Sequence, residues 1–163
     1  SEELNIGSYE ILLTMPVTFN DVILGKFLAA VAFVAAMLIP TFAYPLTVAM
    51  LGQLDWGPVV GGYIGAVLLG AAFSAIGLFA SALTRNQIIA FITAMAICFI
   101  LTLIDKMLFF LPNSLLDILA YLGADFHFQN ISKGIIDSRD IFYFLSVCFL
   151  GLYAAHLALQ EKH

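Results

Sequence analysis

Residues 57–83 read GPVVGGYIGAVLLGAAFSAIGLFASAL and contain no Asp, Glu, Lys or Arg. A helix needs about 20 predominantly apolar residues to cross the hydrocarbon layer of a bilayer. This run exceeds that length. Lipid offers no partner to backbone N–H and C=O groups, so the segment must satisfy them internally, as an α-helix does. The polar-apolar alternation of a transmembrane strand is absent. Three more stretches follow the same logic. They are 22–50, uncharged after Lys26; 88–111, uncharged as far as Ile104 and then crossing Asp105 and Lys106; and 141–160. The expected fold is all-α: a polytopic membrane protein with four transmembrane helices and a single transmembrane domain over 1–163.

The composition agrees. The chain is 63% apolar and 10% charged, whereas soluble domains are usually about 25% charged. So little polar surface would not cover so much apolar side chain in water, but a bilayer solvates it directly. The net charge of -5, with six Lys and Arg in all, excludes a basic surface for nucleic acid. Cys98 and Cys148 both fall inside apolar runs and read as small buried hydrophobes, not as a disulfide or a metal pair. The opening SEELN is acidic, unlike a secretory signal, and has no initiating Met. The sequence is therefore expected to be the later part of a longer protein.

Local signals set the connections. Pro40 and Pro45 in the first span predict a kink or break, with PTFAYPLT as a short non-helical cap at the membrane surface. Tyr44 and Trp56 suit an interface between lipid and water. The short GQLDWGP makes spans one and two an antiparallel hairpin, and SALTRNQII is a tight reversal into span three. In span two, Gly62, Ala66, Gly70 and Ser74 recur every four residues beside Gly61 and Gly65. Such a small-residue face lets another backbone approach closely, and packing within the chain is the expected use.

Two shorter stretches complete the plan. In the first, Ile6, Tyr9 and Leu13 share one side of a helix with Leu12 adjacent, while Glu3, Ser8 and Glu10 lie mostly elsewhere. Pro16 ends this amphipathic piece. Thr18, with Asp21 three residues on, then predicts a capped start for span one. The second is 113–134, too short and mixed to cross; its LeuLeu-rich part at 115–122 reads as an interfacial or re-entrant helix, and Gly123 and Gly134 as turn or helix-end positions.

Catalytic and metal chemistry find little support. Asp125 and His127 in ADFHF would meet a metal only with partners from elsewhere, and no metal site is expected. No phosphate-binding loop is present. Ser74 and Ser81 lack any His or Asp within a span to act as base, so an intramembrane hydrolase is not supported; their hydroxyls are expected to bond to backbone carbonyls. Asp105 and Lys106 are the charges nearest a span interior and are expected, with Asp125 and His127, at a pathway or outer gate. Sidedness is not readable from charge: Lys26, Arg85 and Lys162 lie at one end, Lys106, Lys133 and Arg139 at the other.

The order of surface helix, proline elbow, three spans, short segment and last span resembles the later two thirds of an ABC-2 type transporter permease. The stretches YEILLTMPVTFNDVILGKFLAA (9–30), DWGPVVGGYIG (55–65), IGLFASALTRNQIIAF (76–91) and HFQNISKGIIDSRDIFYFLS (127–146) carry the likeness. Within the family they look most like the permeases of gliding-motility and copper-site-maturation transporters. The resemblance implies six spans, the last four of them here, in a bacterial inner membrane. It implies that residues 3–14 form a cytoplasmic coupling helix, with Glu3, Tyr9, Glu10, Leu12, Leu13 and Pro16 at the contact with a separate ATP-binding subunit. That subunit would bind ATP and Mg, and this chain no cofactor. A second permease copy or a related permease would complete the pathway, and the chain itself would not be an enzyme. The other reading is a non-transporting membrane scaffold or assembly subunit, which would need no ATPase-engaging helix.

Overall fold

The computed structural model describes residues 18–107 and 122–160, the side chains of Phe19, Asp105, Lys106 and Met107 excepted. The expected coupling helix at 3–14 and the 113–121 part of the interfacial segment lie outside these residues. The described residues are helical and turn only. Helix α1 is Phe19–Leu38; a 3-10 turn at Pro40–Phe42 leads into α2, Ala43–Leu51; α3 is Trp56–Leu83; α4 is Gln87–Met107; α5 is Ala124–Ser132; α6 is Ser138–Gln160. Four segments have the length and hydropathy to cross a membrane: Asn20–Leu51, Trp56–Leu83, Gln87–Ile104 and Ser138–Gln160. At 28 residues, α3 is about 42 Å long, ample for a hydrocarbon layer of about 30 Å.

Helices α1, α3 and α4 begin where the sequence supplies a side-chain cap. Thr18 and Asp21 form a reciprocal capping box at α1. The Thr18 backbone N–H donates to Asp21 Oδ2 at 2.9 Å, and the Asp21 N–H reaches Thr18 Oγ1 at 3.4 Å. Asp55 caps α3 by accepting from the Gly57 N–H at 3.0 Å. Asn86 Oδ1 accepts from Ile88 N–H at 2.9 Å, opening α4. At Pro40 the α-helical ladder gives way to the 3-10 turn, because proline has no N–H and crowds the preceding turn. The expected non-helical cap over PTFAYPLT is not what forms. The chain re-enters an α-helix at Ala43, since Pro45 falls in the first turn, where a missing N–H costs nothing.

The core lies between α3 and α6. Ala71, Ala72 and Ala75 of α3 are buried with Phe144 and Cys148 of α6. A Cβ placed on Gly151 of α6 would sit 3.0 Å from Ala75 Cβ, so the two backbones run in close contact. A second cluster, Ile23, Ala82, Ala155 and Leu159, joins the start of α1 to the end of α3 and of α6. Helices α1 and α4 pack on α3 and present most of their surface outward, as suits lipid-facing helices.

The small-residue face of α3 divides among different neighbours. Gly61 and Gly65 meet α5: a Cβ on Gly61 would collide with the Ile131 carbonyl oxygen, and one on Gly65 would lie 3.2 Å from the Phe128 ring. A Cβ on Gly70 would lie 2.8 Å from Val34 of α1. Gly62 has open space around its Cα, and Ser74 donates to the Gly70 carbonyl at 2.7 Å. The expected four-residue stripe is therefore staggered, with its tightest approaches at Gly61 and Gly70.

Gly134 ends α5 with φ +82°, and a Cβ there would lie 2.8 Å from the Gly57 carbonyl carbon. Both the left-handed backbone and the close approach demand glycine. Gly134→Ala is expected to destabilise the fold by more than about 1 kcal/mol. Unfolding of purified protein in mixed detergent micelles, followed by circular dichroism, measures it; Gly62→Ala, at an open position on the same face, serves as the comparison and should change little.

Candidate functional site

One end of the bundle carries the 52–55 turn, α5 and the start of α6. The other carries the start of α1, the 84–86 turn and the end of α6. The first end holds the densest group of polar side chains among the described residues. It is built on α5, which is pressed against the start of α3 through Gly61, Gly65 and Gly134.

His127 lies on the inner face of α5 and is 1% exposed; Asp140, in the first turn of α6, is 3% exposed. His127 Nδ1 and Asp140 Oδ1 are 2.6 Å apart. With a carboxylate facing it, Nδ1 is the protonated nitrogen and donates. The Tyr143 ring stacks on the imidazole, with centroids 4.1 Å apart and planes 21° from parallel. Tyr143 Oη then donates to the Leu122 carbonyl at 2.6 Å, fixing the chain just before α5. Asp140 Oδ2 is buried without a hydrogen-bond partner. The N-terminal position of Asp140 on α6 offsets part of its burial, since the first turn of a helix favours negative charge. The neighbouring Asp137 accepts from the Arg139 N–H through Oδ1 at 3.1 Å, closing the turn.

The residues expected at a pathway or outer gate fall into two groups. Asp125 Oδ2 accepts from Gln129 Nε2 at 2.9 Å within α5, and His127 turns inward to α6. Asp105 and Lys106 occupy the last turn of α4, a helix that packs against α5. Glu3, Tyr9, Glu10, Leu12, Leu13 and Pro16 lie outside the described residues. Among the described residues, no group of three or more His, Cys, Asp or Glu is placed to hold a metal ion.

Asp140 is the residue that sequence reasoning passed over. It was visible only as one acidic residue among several before the last span. The available signal was its place in the first turn of an apolar helix, where a carboxylate is either solvated at the interface or paired. At the opposite end, His156 Nδ1 is buried without a hydrogen-bond partner and borders a cavity of about 360 Å³ with Asn20 and Tyr153.

Four helices of membrane length around a small-residue core, with a short helix locked over one end, define a polytopic helical membrane protein. The family model described as ABC-2 family transporter protein matches residues 1–147. The chain belongs to that family, whose members are non-catalytic transport subunits. Neither the curated proteins nor the solved structures yielded a match.

The His127–Asp140 pair makes a direct prediction. His127→Leu strands a buried carboxylate and is expected to cost about 3 kcal/mol or more. The double variant His127→Leu with Asp140→Leu, which removes the buried charge as well, should cost less than the sum of the two single changes. A thermal-unfolding cycle on the four proteins in one detergent gives the coupling directly; additive losses would contradict a paired role.

Proposed function

We propose that this chain is the membrane-spanning subunit of an ATP-driven transporter in a bacterial inner membrane, and that it moves cargo without hydrolysing anything itself. The family match over residues 1–147 carries the reading. Energy would come from a separate ATP-binding subunit that holds ATP and Mg. Residues 3–14 would form a coupling helix on the cytoplasmic face, with Glu3, Tyr9, Glu10, Leu12 and Leu13 against the ATPase and Pro16 as the elbow. The reciprocal Thr18–Asp21 cap supports this assignment, because it fixes the start of α1 immediately after the elbow. A rod joined to a span by a short, stiff connection transmits displacement with little slack.

In this reading a second permease copy, or a related permease, completes the pathway, and alternating access arises from helices moving as rigid bodies. The α3–α6 core, joined through small residues, is suited to move as one unit. Segment 113–134 would shape the outer end, with Asp105, Lys106, Asp125 and His127 near the outer gate. The sequence likeness to gliding-motility and copper-site-maturation permeases supports reading the chain in that subgroup.

The coupling assignment has a plain test. Replacing Tyr9, Leu12 and Leu13 together with Asp should abolish co-purification of the ATP-binding subunit from solubilised membranes, while the variant still inserts and accumulates. Undiminished co-purification would remove the basis for the coupling helix.

A further inference from the structure

Helices α3 and α6 run in the same direction, and the close approach of Gly151 to Ala75 fixes their register. Further along, Ala82 is buried with Ala155 and Leu159 in the same register. Beyond the Gly151 contact the two helices finish level, α3 eight residues on at Leu83 and α6 nine residues on at Gln160. Before that contact they are offset. Helix α3 starts nineteen residues ahead of Ala75, at Trp56, whereas α6 starts thirteen ahead of Gly151, at Ser138. The difference of six residues is about 9 Å of helix. Arg139 precedes Gly151 by the same twelve residues as Tyr63 precedes Ala75, so Arg139 and Tyr63 stand at one level.

The two sides of the bundle present opposite chemistry from this level outward. On the α6 side, Asp137, Ser138 and Arg139 are exposed. Asp137 is tied to this level, because its Oδ1 accepts from the Arg139 N–H at 3.1 Å. Its carboxylate is too short to snorkel as a lysine or arginine does, and a charged group in hydrocarbon is expensive. On the α1 side, Thr41 meets Tyr63 at 2.9 Å. From there the chain runs outward through α2 to the 52–55 turn and Trp56, which lies about 10 Å beyond Tyr63 along α3. Helix α2 therefore lies further out than Arg139. Yet it exposes Leu46, Val48, Met50 and Leu51, and none of its residues is buried. A flat boundary at the level of Arg139 would put these apolar side chains in water. A flat boundary beyond α2 would put Asp137 and Arg139 in hydrocarbon.

We propose that the bilayer surface is stepped around this end of the protein. Headgroups and water lie against Asp137–Arg139, and beside α2 the hydrocarbon layer stands about 9 Å higher. The run from Ile141 to Gln160 is about 30 Å long, an ordinary hydrocarbon thickness. The layer thus has its normal height beside α6 and is raised beside the broken first span. Lipids adjust their local thickness at a modest cost per ångström, whereas an ionised carboxylate in hydrocarbon has no such cheap adjustment. The step follows from the membrane-spanning helices and does not rest on the ATPase-coupling reading, so the two stand or fall separately.

The test uses the whole protein in phosphatidylcholine nanodiscs, which leave both faces of the bilayer open to reagents. In one arm, some of the lipid carries a photoactivatable diazirine near the glycerol end of one acyl chain, and labelled residues are mapped by mass spectrometry. Residues 46–51 should take up several-fold more label than residues 135–139. In the other arm, Ser138→Cys and Val48→Cys are treated with a charged, membrane-impermeant thiol reagent, and each site is followed separately from Cys98 and Cys148. Ser138→Cys should react several-fold faster than Val48→Cys, although it lies deeper. Arg139→Cys serves in its place if that variant fails to accumulate. Equal reaction at the two sites would mean a flat boundary and overturn the step. So would an unreactive cysteine at 138 and at 139, which puts protein or lipid over the α6 face. An α2 that takes no acyl-chain label would overturn it as well, because water or another helix would then lie where the raised layer should be.

Discussion

Helices in a bilayer gain little from hiding apolar side chains from one another, because lipid tails are as apolar as leucine. What holds them is close contact between surfaces that fit. Here that contact is made at glycines, with backbone against backbone at Gly61, Gly134 and Gly151 and a side chain seated against Gly65 and Gly70. Gly61 and Gly65 admit α5, Gly134 admits the start of α3, Gly70 admits Val34, and Gly151 of α6 admits Ala75. A side chain at Gly61 would occupy the place of a carbonyl oxygen. The position of α5, and with it everything at that end of the bundle, follows from these approaches.

Once α5 is seated, its polar residues have fixed partners. His127 is carried inward and meets Asp140, and Tyr143 clasps the pair by stacking on the imidazole and bonding to Leu122. Removing two polar side chains from solvent is costly unless they satisfy one another. The pairing does so for Oδ1 and Nδ1, and the start of α6 contributes a favourable field. The buried Oδ2 of Asp140, without a hydrogen-bond partner among the described residues, sets charge against packing at this end. It is also the end where α4 brings Asp105 and Lys106 into its last turn.

The other half of the molecule is organised differently. The α1 start is capped firmly, yet the same span loosens at Pro40 and continues as α2 without burying a residue. The two parts of this segment differ: α1 packs on α3 and α6, and α2 buries no residue, with the Thr41–Tyr63 contact joining the turn before it to α3. Within this turn the Thr41 hydroxyl donates to the Leu38 carbonyl, and the Ile39 N–H bonds to the Ala36 carbonyl that Pro40 cannot reach.

Much of this was legible from residues alone, for physical reasons that differ by feature. Four spans follow from run length, because the hydrocarbon layer has a fixed thickness and the backbone has no other way to bond within it. The Thr18–Asp21 cap is a local pattern, and so is the break at Pro40. The resumption of helix at Ala43 was missed because Pro45 was read as a second breaker, when its place in the first turn makes it harmless. The small-residue face of α3 was visible as a period, but not its division among α5, α1 and open space. A period names a face; only the arrangement of other helices says what covers it. The pairing of His127 with Asp140 joins residues from two helices, and nothing local to either marks the other. The sequence by itself determined the class, the number of crossings and the capped start of the first span at Thr18, since these depend on chain-local bonding and on the thickness of lipid. Tertiary structure alone decided which glycines carry the contacts and which histidine is buried, because those depend on the meeting of surfaces distant along the chain.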